Sequence, residues 1–352
     1  MTWLRKLLPF WLKQVIRKTI SLPGELTIPL FKKSRIMASL YYFIFSRKFD
    51  REHKAVLAGR SNYRKSLINV EQTPVLLRRN IHRLEKGLIM QPRRDVFAED
   101  YISETVEIYQ HSMRSGKMCE DEKKWFTDVL TEYFSIVKDT ARIKKARDKF
   151  VAYVECTNKQ TKYIPYPFDT LSATNITYDQ LHKLFIKRRS VRWYQDKPVP
   201  KELIQRAVNL ATLAPSACNR QPYSFFTSSS KEQAYSMACI AGGTTGFADN
   251  LPCVITIVGD LSAYPAERDR HLIYIDGSLA AMQLMLAFES LGLSTCPINW
   301  PDIEQAENKM QDLLGLKDYE RPIMLLAVGY AKDKGCIPYS QKKNPDLLIK
   351  YF

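Results

Sequence analysis

The sequence contains no Cys-x-x-Cys pair, and its seven cysteines (positions 119, 156, 218, 239, 253, 296 and 336) are scattered and odd in number. That usage fits buried thiols in a reducing compartment better than a disulfide framework. The N-terminal region has no long apolar run. Leu40 to Phe45 falls far short of the ~20 residues that span a bilayer, and no small-residue cleavage site follows an apolar core, so a secretory signal is not expected. There is no internal repeat and no low-complexity tract. The one glycine-rich stretch, Gly242-Gly243-Thr244-Thr245-Gly246, follows a helical pattern and not a strand, which excludes a dinucleotide-binding fingerprint. Acidic residues are scarce at one end. The first 65 residues hold only Glu25, Asp50 and Glu52 against 15 lysines and arginines.

What is present is an ordinary globular composition. The chain has 352 residues, 45% of them hydrophobic, enough for two domains or for one domain with a large extension. Most of the net charge of +16 lies in the first 65 residues. Leu4, Leu7, Leu8, Trp11, Leu12, Val15 and Ile16 recur there at helical spacing, with Arg5, Lys6, Lys13, Arg17 and Lys18 between them and Pro9 interrupting. A basic amphipathic pattern of this kind over residues 1–45 is able to lie on an anionic membrane surface, or equally to pack on the rest of the protein. Nucleic acid is not the expected partner: Tyr41, Tyr42, Phe43 and Phe45 form an apolar block and not a stacking surface. The expected location is cytoplasmic, with the inner membrane surface as an option for the arm.

Apolar spacings of three and four predict helices over 80–88, 100–111, 120–138 and 141–154. A proline- and aromatic-rich stretch, Tyr163-Ile164-Pro165-Tyr166-Pro167-Phe168, reads as a linker or packed arm. The pattern then alternates: helices over 178–187 (capped by Thr177), 201–213, 231–240, 273–291 and 304–314, and strands over 223–228, 253–259 and 322–330. The expected organisation is a basic arm over 1–60, a helical extension and linker over 61–170, and a third region over 171–352.

Two segments carry the chemistry. Arg188, Ser190 and Arg192 lie at i, i+2 and i+4; in an extended segment leaving a helix they share one face, and guanidiniums with a hydroxyl suit a phosphate. Alone, Lys187, Arg188 and Arg189 could equally be a solvated basic helix end complementing the dipole. After one further helix comes Pro215-Ser216-Ala217-Cys218-Asn219-Arg220-Gln221-Pro222-Tyr223, a glycine-free turn rich in amides and small polar groups. His82 and Glu85 at i, i+3 resemble half of a di-iron motif, but the other carboxylates and the second Glu-x-x-His are missing, so no metal is expected. Ion pairs closed by a Gly87 C-cap are expected instead.

In this order, the two segments resemble the flavin-mononucleotide (FMN) motifs of the nitroreductase family. The resemblance continues through Ile275–Gln283, similar to the family's long central helix, through Leu291–Asn299, and through Leu325–Tyr330; it covers roughly 178–352. It implies an α+β fold with a mixed central sheet flanked by helices, dimeric, here with an all-α N-terminal extension. It implies an NAD(P)H-dependent flavin oxidoreductase acting on a small electrophile. Arg188, with Arg189 beside it, and Ser190 would bind the phosphate, and Arg192 would face the flavin N1–O2 edge. Pro215, Ser216, Ala217, Asn219 and Gln221 would reach the cofactor from the partner subunit of a homodimer. The backbone of Pro297, Ile298, Asn299 and Trp300 would lie near flavin N5. Asn299-Trp300 replaces the common Glu-Gly, which is expected to put an indole beside the flavin. Lys342 and Lys343 are the nearest candidates for the family's C-terminal basic phosphate pair. If flavin binding has been lost, the alternative is a scaffold or sensor working through its basic arm.

Overall fold

A computed structural model describes residues 26–66, 75–115, 118–154 and 162–352. The amphipathic pattern at residues 4–16 lies outside them. The chain divides into two compact units between Ala55 and Val56. In the first, helix α1 (Arg35–Tyr41), capped by Ser34, widens into a π-helical turn over Tyr42–Ser46. Its aromatic rings contact one another, Phe31 lying 5.7 Å from Phe45 and Tyr42 4.5 Å from Phe49. Helix α2 (Asp50–Ser66), unmarked in the sequence reading, follows, with Asp50 and Glu52 in its first turn and Arg64 and Lys65 in its last, which suits the helix dipole.

Beyond the C-terminal part of α2, the second unit holds four helices: α3 (Val75–Leu88), α4 (Ile102–Ser115), α5 (Glu120–Ile136) and α6 (Ala141–Val151). Their apolar stripes meet in a core of their own, built from Leu77, Ile81 and Leu84 of α3, Val106 and Tyr109 of α4, Phe126 and Leu130 of α5, and Ile143 and Phe150 of α6. Gly87 is not the C-cap. It sits inside α3, where a Cβ would stand 2.4 Å from the Phe97 ring, so its missing side chain admits an aromatic neighbour.

The remainder is α7 (Tyr178–Lys187), α8 (Lys201–Ala211), β1 (Tyr223–Thr227), α9 (Lys231–Ala241), β2 (Cys253–Asp260), α10 (Leu272–Ser290), β3 (Ser294–Asn299), α11 (Glu304–Leu314) and β4 (Glu320–Gly329). Thr177 closes a capping box with Gln180 at the start of α7. The strands form one sheet in the order β1-β2-β4-β3. It is antiparallel throughout, not mixed, and the one parallel element among the described residues is a bridge from Ser190 to Thr295. That bridge stays single because the chain after Val191 turns to β4's end, where Gln195 N–H donates to Tyr330 O at 2.8 Å.

Both sheet faces are covered, which is why β2 and β4 read as continuous apolar runs. One face packs Val254, Val258, Leu325 and Ala327 against Ala234 and Met237 of α9 and Met310 of α11. The other packs Ile255, Ile257, Leu326 and Val328 against Ala207 of α8 and Ala281, Leu284 and Phe288 of α10. The architecture is α+β with a helical N-terminal extension.

The C-terminal part of α2 packs on this sheet region. Gly59 of α2 presses on Leu261, where a Cβ would lie 2.8 Å from the carbonyl carbon. Arg60 donates to the Pro265 carbonyl at 3.2 Å and pairs with Glu267.

Candidate active site

The segment leaving α7 is shaped by its backbone. Arg188, the C-cap, is extended (φ −64, ψ 114). Val191 N–H donates to Thr295 O at 3.0 Å. Asn250 holds the next two residues: its Nδ2 donates to Arg192 O at 2.7 Å and its Oδ1 accepts from Tyr194 N–H at 3.3 Å. Tyr194, fully buried, donates its hydroxyl to Val191 O at 2.6 Å. Neither Asn250 nor Tyr194 was marked by the sequence, because their work is on backbone groups.

These anchors lay the Arg188–Arg192 segment alongside β3, near Cys296. Burial raises the Cys296 thiol above its usual range; the charges of Arg192 and Arg188 and the Ser190 hydroxyl oppose that rise. Arg189 points elsewhere. Its Nη1 donates back to Phe185 O at 3.1 Å and Arg188 O at 2.9 Å, sealing the end of α7. Arg189 therefore serves the helix end, while Arg188 and Arg192 lie within electrostatic reach of Cys296.

Beside this face lies a cleft of about 450 Å³ lined by Arg192, Gly242, Gly243, Phe247, Cys296–Asn299 and Ile303. The glycine-rich loop, given no cofactor role from sequence, forms part of its wall. Gly242 and Gly243 have φ of 71 and 69, and a Cβ on either would meet nothing within 4 Å. Buried polar atoms near this face without a hydrogen-bond partner include Arg188 Nε and Thr295 Oγ1, with Glu289 Oε2 on α10 in reach of the Arg188 charge.

The Trp300 indole is not beside the cleft. It is buried in the sheet core and donates to Glu307 Oε1 at 2.8 Å. Glu307 in turn accepts from the buried Arg321 at 3.3 Å. An indole N–H inside a core requires an acceptor, and this one holds the ring inward. Lys342 and Lys343 stand exposed in a non-helical C-terminal stretch, and no hydrogen bond or ion pair among the described residues joins them to Arg188 or Ser190.

The turn after α8 is a separate construction. Cys218, Asn219 and Gln221 all have positive φ (53, 51 and 49), conformations that cost L-residues about 1–2 kcal/mol each. Side chains compensate. Ala217 N–H donates to Asp276 Oδ2 at 3.0 Å, and Gln221 N–H donates to Ser216 Oγ at 3.1 Å. Gln221 Nε2 donates to Thr212 O at 2.8 Å, while its Oε1 accepts from Arg78 Nη2 at 3.0 Å. Both ends of the Gln221 amide are thus engaged within the chain. Pro215 is exposed; Ser216, Ala217 and Asn219 are half-buried. Cys218 is half-buried too, and so does not fill a core position.

Helix α10 separates the two constructions. Asp276 anchors the turn, while Glu289 feels the charges of Lys187 and Arg188. These residues stand thirteen positions apart on α10, about 20 Å along the axis at ~1.5 Å per residue. The same helix leaves Ile275, Leu279 and Met282 exposed on one face, and α7 exposes Tyr178, Leu181, Phe185 and Ile186.

The sequence model of the nitroreductase family matches residues 186–245 and 240–330. Similar proteins include a putative NAD(P)H nitroreductase, YdgI, of Bacillus subtilis, 30% identical over 190 residues, covering 43% of this chain and 88% of its own length. A putative NADH dehydrogenase/NAD(P)H nitroreductase of Archaeoglobus fulgidus is 29% identical over 168 residues, covering 47% of this chain and 93% of its own. Human iodotyrosine deiodinase 1 is 21% identical over 277 residues, covering 69% of this chain and 93% of its own.

Proposed function

The chain belongs to the nitroreductase family, and from that membership we propose that it is an FMN-dependent oxidoreductase, working as a homodimer, that passes a hydride from NADH or NADPH to a small electrophile. One observation carries the reading. Arg188 Nε and Thr295 Oγ1 are buried without partners beside Ser190 and Arg192. Buried polar groups are rarely left unmatched, and this set is of the chemistry a phosphate completes.

The residues fit the cofactor. Arg188 and Ser190 would hold the phosphate, with Thr295 as a further hydroxyl. Arg192 lies at the cleft edge, where a fixed guanidinium stabilises negative charge on a ring system. The Pro297–Asn299 backbone supplies uncharged hydrogen-bonding groups along one wall. When bound, FMN supplies the hydride chemistry at N5. Phe247 and Ile303 keep the wall apolar, which limits water at the reacting face.

Distance supports the homodimer. The 216–221 turn and the Arg188 face occupy opposite ends of α10 in one chain, so a site using both needs a second copy. The exposed stripe Ile275, Leu279, Met282 offers that copy an apolar surface. In the described part of the arm, Ile36, Phe43 and Ile44 are exposed near Lys32, Lys33 and Arg35, which supports peripheral contact with an anionic membrane. Deleting residues 1–45 should abolish liposome binding and leave activity unchanged; retained binding would refute that contact.

The test of the enzyme reading is the visible spectrum of the purified protein, followed by anaerobic NADH or NADPH. Flavin bands near stoichiometry, bleached by either donor, are expected. A colourless chain that FMN cannot reconstitute would overturn the reading and favour the scaffold alternative. Nitroaromatics and quinones form the electrophile panel, and iodotyrosine joins it because the deiodinase match extends beyond the residues matched by the family model.

A further inference from the structure

Arg78, on α3 of the helical segment, is buried, yet it lies outside the core that the four helices share. Its guanidinium is spent on the turn after α8. Nε donates to Asn219 O at 3.1 Å and Nη2 donates to Gln221 Oε1 at 3.0 Å, so one planar fork grips two of the three left-handed residues. The third direction is taken by Glu122 of α5, which pairs with Nη1. Trp125 stands under the guanidinium, 5.3 Å from ring centroid to Cζ, and its Nε1 donates to Glu85 Oε1 at 2.9 Å. Glu122 and Trp125, both on α5, thus hold one edge and one face of the Arg78 guanidinium while its other two donors reach the turn.

The turn has no glycine to make its conformation easy, and its backbone needs outside support. Asp276 supports the Ala217 end through a single amide. Arg78 supports the Asn219–Gln221 end, and it comes from a part of the chain outside the residues that match the family model. We propose that Arg78, held by Glu122 and Trp125, is a positioning residue that keeps the 216–221 turn in its cofactor-binding conformation and so couples the helical segment to flavin retention. This rests on the flavoenzyme reading above. It assigns the helical segment a purpose: cofactor affinity depends on α3 and α5 staying docked. By linkage, cofactor binding must tighten that docking by the same factor.

The experiment uses the full-length protein and two readouts. FMN Kd is measured by fluorescence quenching for the unaltered chain, Arg78→Ala, Arg78→Lys and Glu122→Gln, with Arg83→Gln as control. Arg83 lies on the same helix, stacked 3.7 Å over Tyr101 and away from the turn. Amide hydrogen exchange is followed over 216–221 and over α3, with and without FMN. Arg78→Ala should raise Kd at least tenfold and speed exchange across 216–221 without FMN. Lysine, which keeps the charge but not the fork, should fall between wild type and alanine. Glu122→Gln should shift Kd in the same direction, and Arg83→Gln should leave it unchanged. FMN should protect α3 in the unaltered chain but not in Arg78→Ala, a response that a residue serving stability alone would not produce. If the unaltered chain binds FMN and Arg78→Ala binds equally well with unchanged exchange over 216–221, the clamp is wrong and the flavoenzyme reading stands. If the unaltered chain binds no FMN, the flavoenzyme reading falls and the cofactor role of Arg78 falls with it, whatever the exchange data say about the turn.

Discussion

The Arg188–Arg192 segment and the 216–221 turn are both short, both polar and both placed at the end of a helix, yet they are finished to different degrees. The first keeps buried donors without partners and opens on a cleft. The second has its amides and carbonyls largely taken up by Asp276, Thr212, Ser216 and Arg78. One presents unpaired polar groups beside a cleft; the other is a strained support whose shape the protein has already fixed. Substitutions in the first should therefore act on cofactor affinity directly, and in the second through geometry.

The largest expected effect tests the first half of that contrast. Arg188→Ala removes the half-buried side chain whose Nε is proposed to meet the phosphate. Charge-assisted hydrogen bonds contribute about 1.5–3 kcal/mol each, so FMN affinity should fall roughly tenfold to hundredfold or more while the fold is kept. Calorimetric titration with FMN, alongside circular dichroism, checks both. Unchanged affinity would mean that Arg188 is only a helix end, as Arg189 is.

A smaller effect sharpens the contrast by asking whether the two segments meet across two chains. Leu279 lies on the exposed face of α10, outside both constructions. Leu279→Glu places a charge in the proposed apolar interface, where an unpaired carboxylate costs several kcal/mol if it is desolvated. The variant should sediment as a monomer and lose flavin together with its partner. A monomer that holds FMN at wild-type affinity would show that one chain suffices and that the turn has no cofactor role.

Much of this was legible beforehand. The ends of α7, α9, α10 and α11 lie within a residue of the sequence pattern, because Thr177 capping and three- and four-residue apolar spacing are local signals. Arg188, Ser190 and Arg192 are legible as one segment, and the structure lays that segment alongside β3, near Cys296. What escaped has a common cause: groups that act on backbone or on distant side chains leave no periodic trace. Asn250 works on the backbone of Arg192 and Tyr194 from 58 and 56 residues away, and Arg78 reaches the turn from 141 residues away. Trp300 was expected at the flavin because position suggested it; a buried glutamate seven residues on decided its orientation. Gly87 was read as a cap because glycine near a helix end usually is one, whereas the Phe97 ring sets the requirement here.

The smallest effect concerns the turn's other anchor and probes whether its support is electrostatically comfortable. Asp276 is 3% exposed; burial lifts its carboxyl above the ordinary 3.8, opposed by the Ala217 amide, the Tyr264 hydroxyl at 3.1 Å and the Arg220 charge. A raised folded value means the native state holds this proton more tightly than the unfolded chain does. Its contribution to stability is therefore full below about pH 3.8 and is lost as pH climbs through the folded value. Asp276→Asn cannot titrate, so the stability of the unaltered chain relative to this variant should decline with rising pH over that window and then level off. Urea unfolding of both proteins at a series of pH values checks the sign. A difference that grows with pH instead would mean that Ala217, Tyr264 and Arg220 outweigh burial, and that the turn's anchor works as a fully ionised, well-solvated cap. In that case the left-handed backbone of 218–221 would rest on Asp276 more than on Arg78, and the division of labour between the two anchors would be reversed.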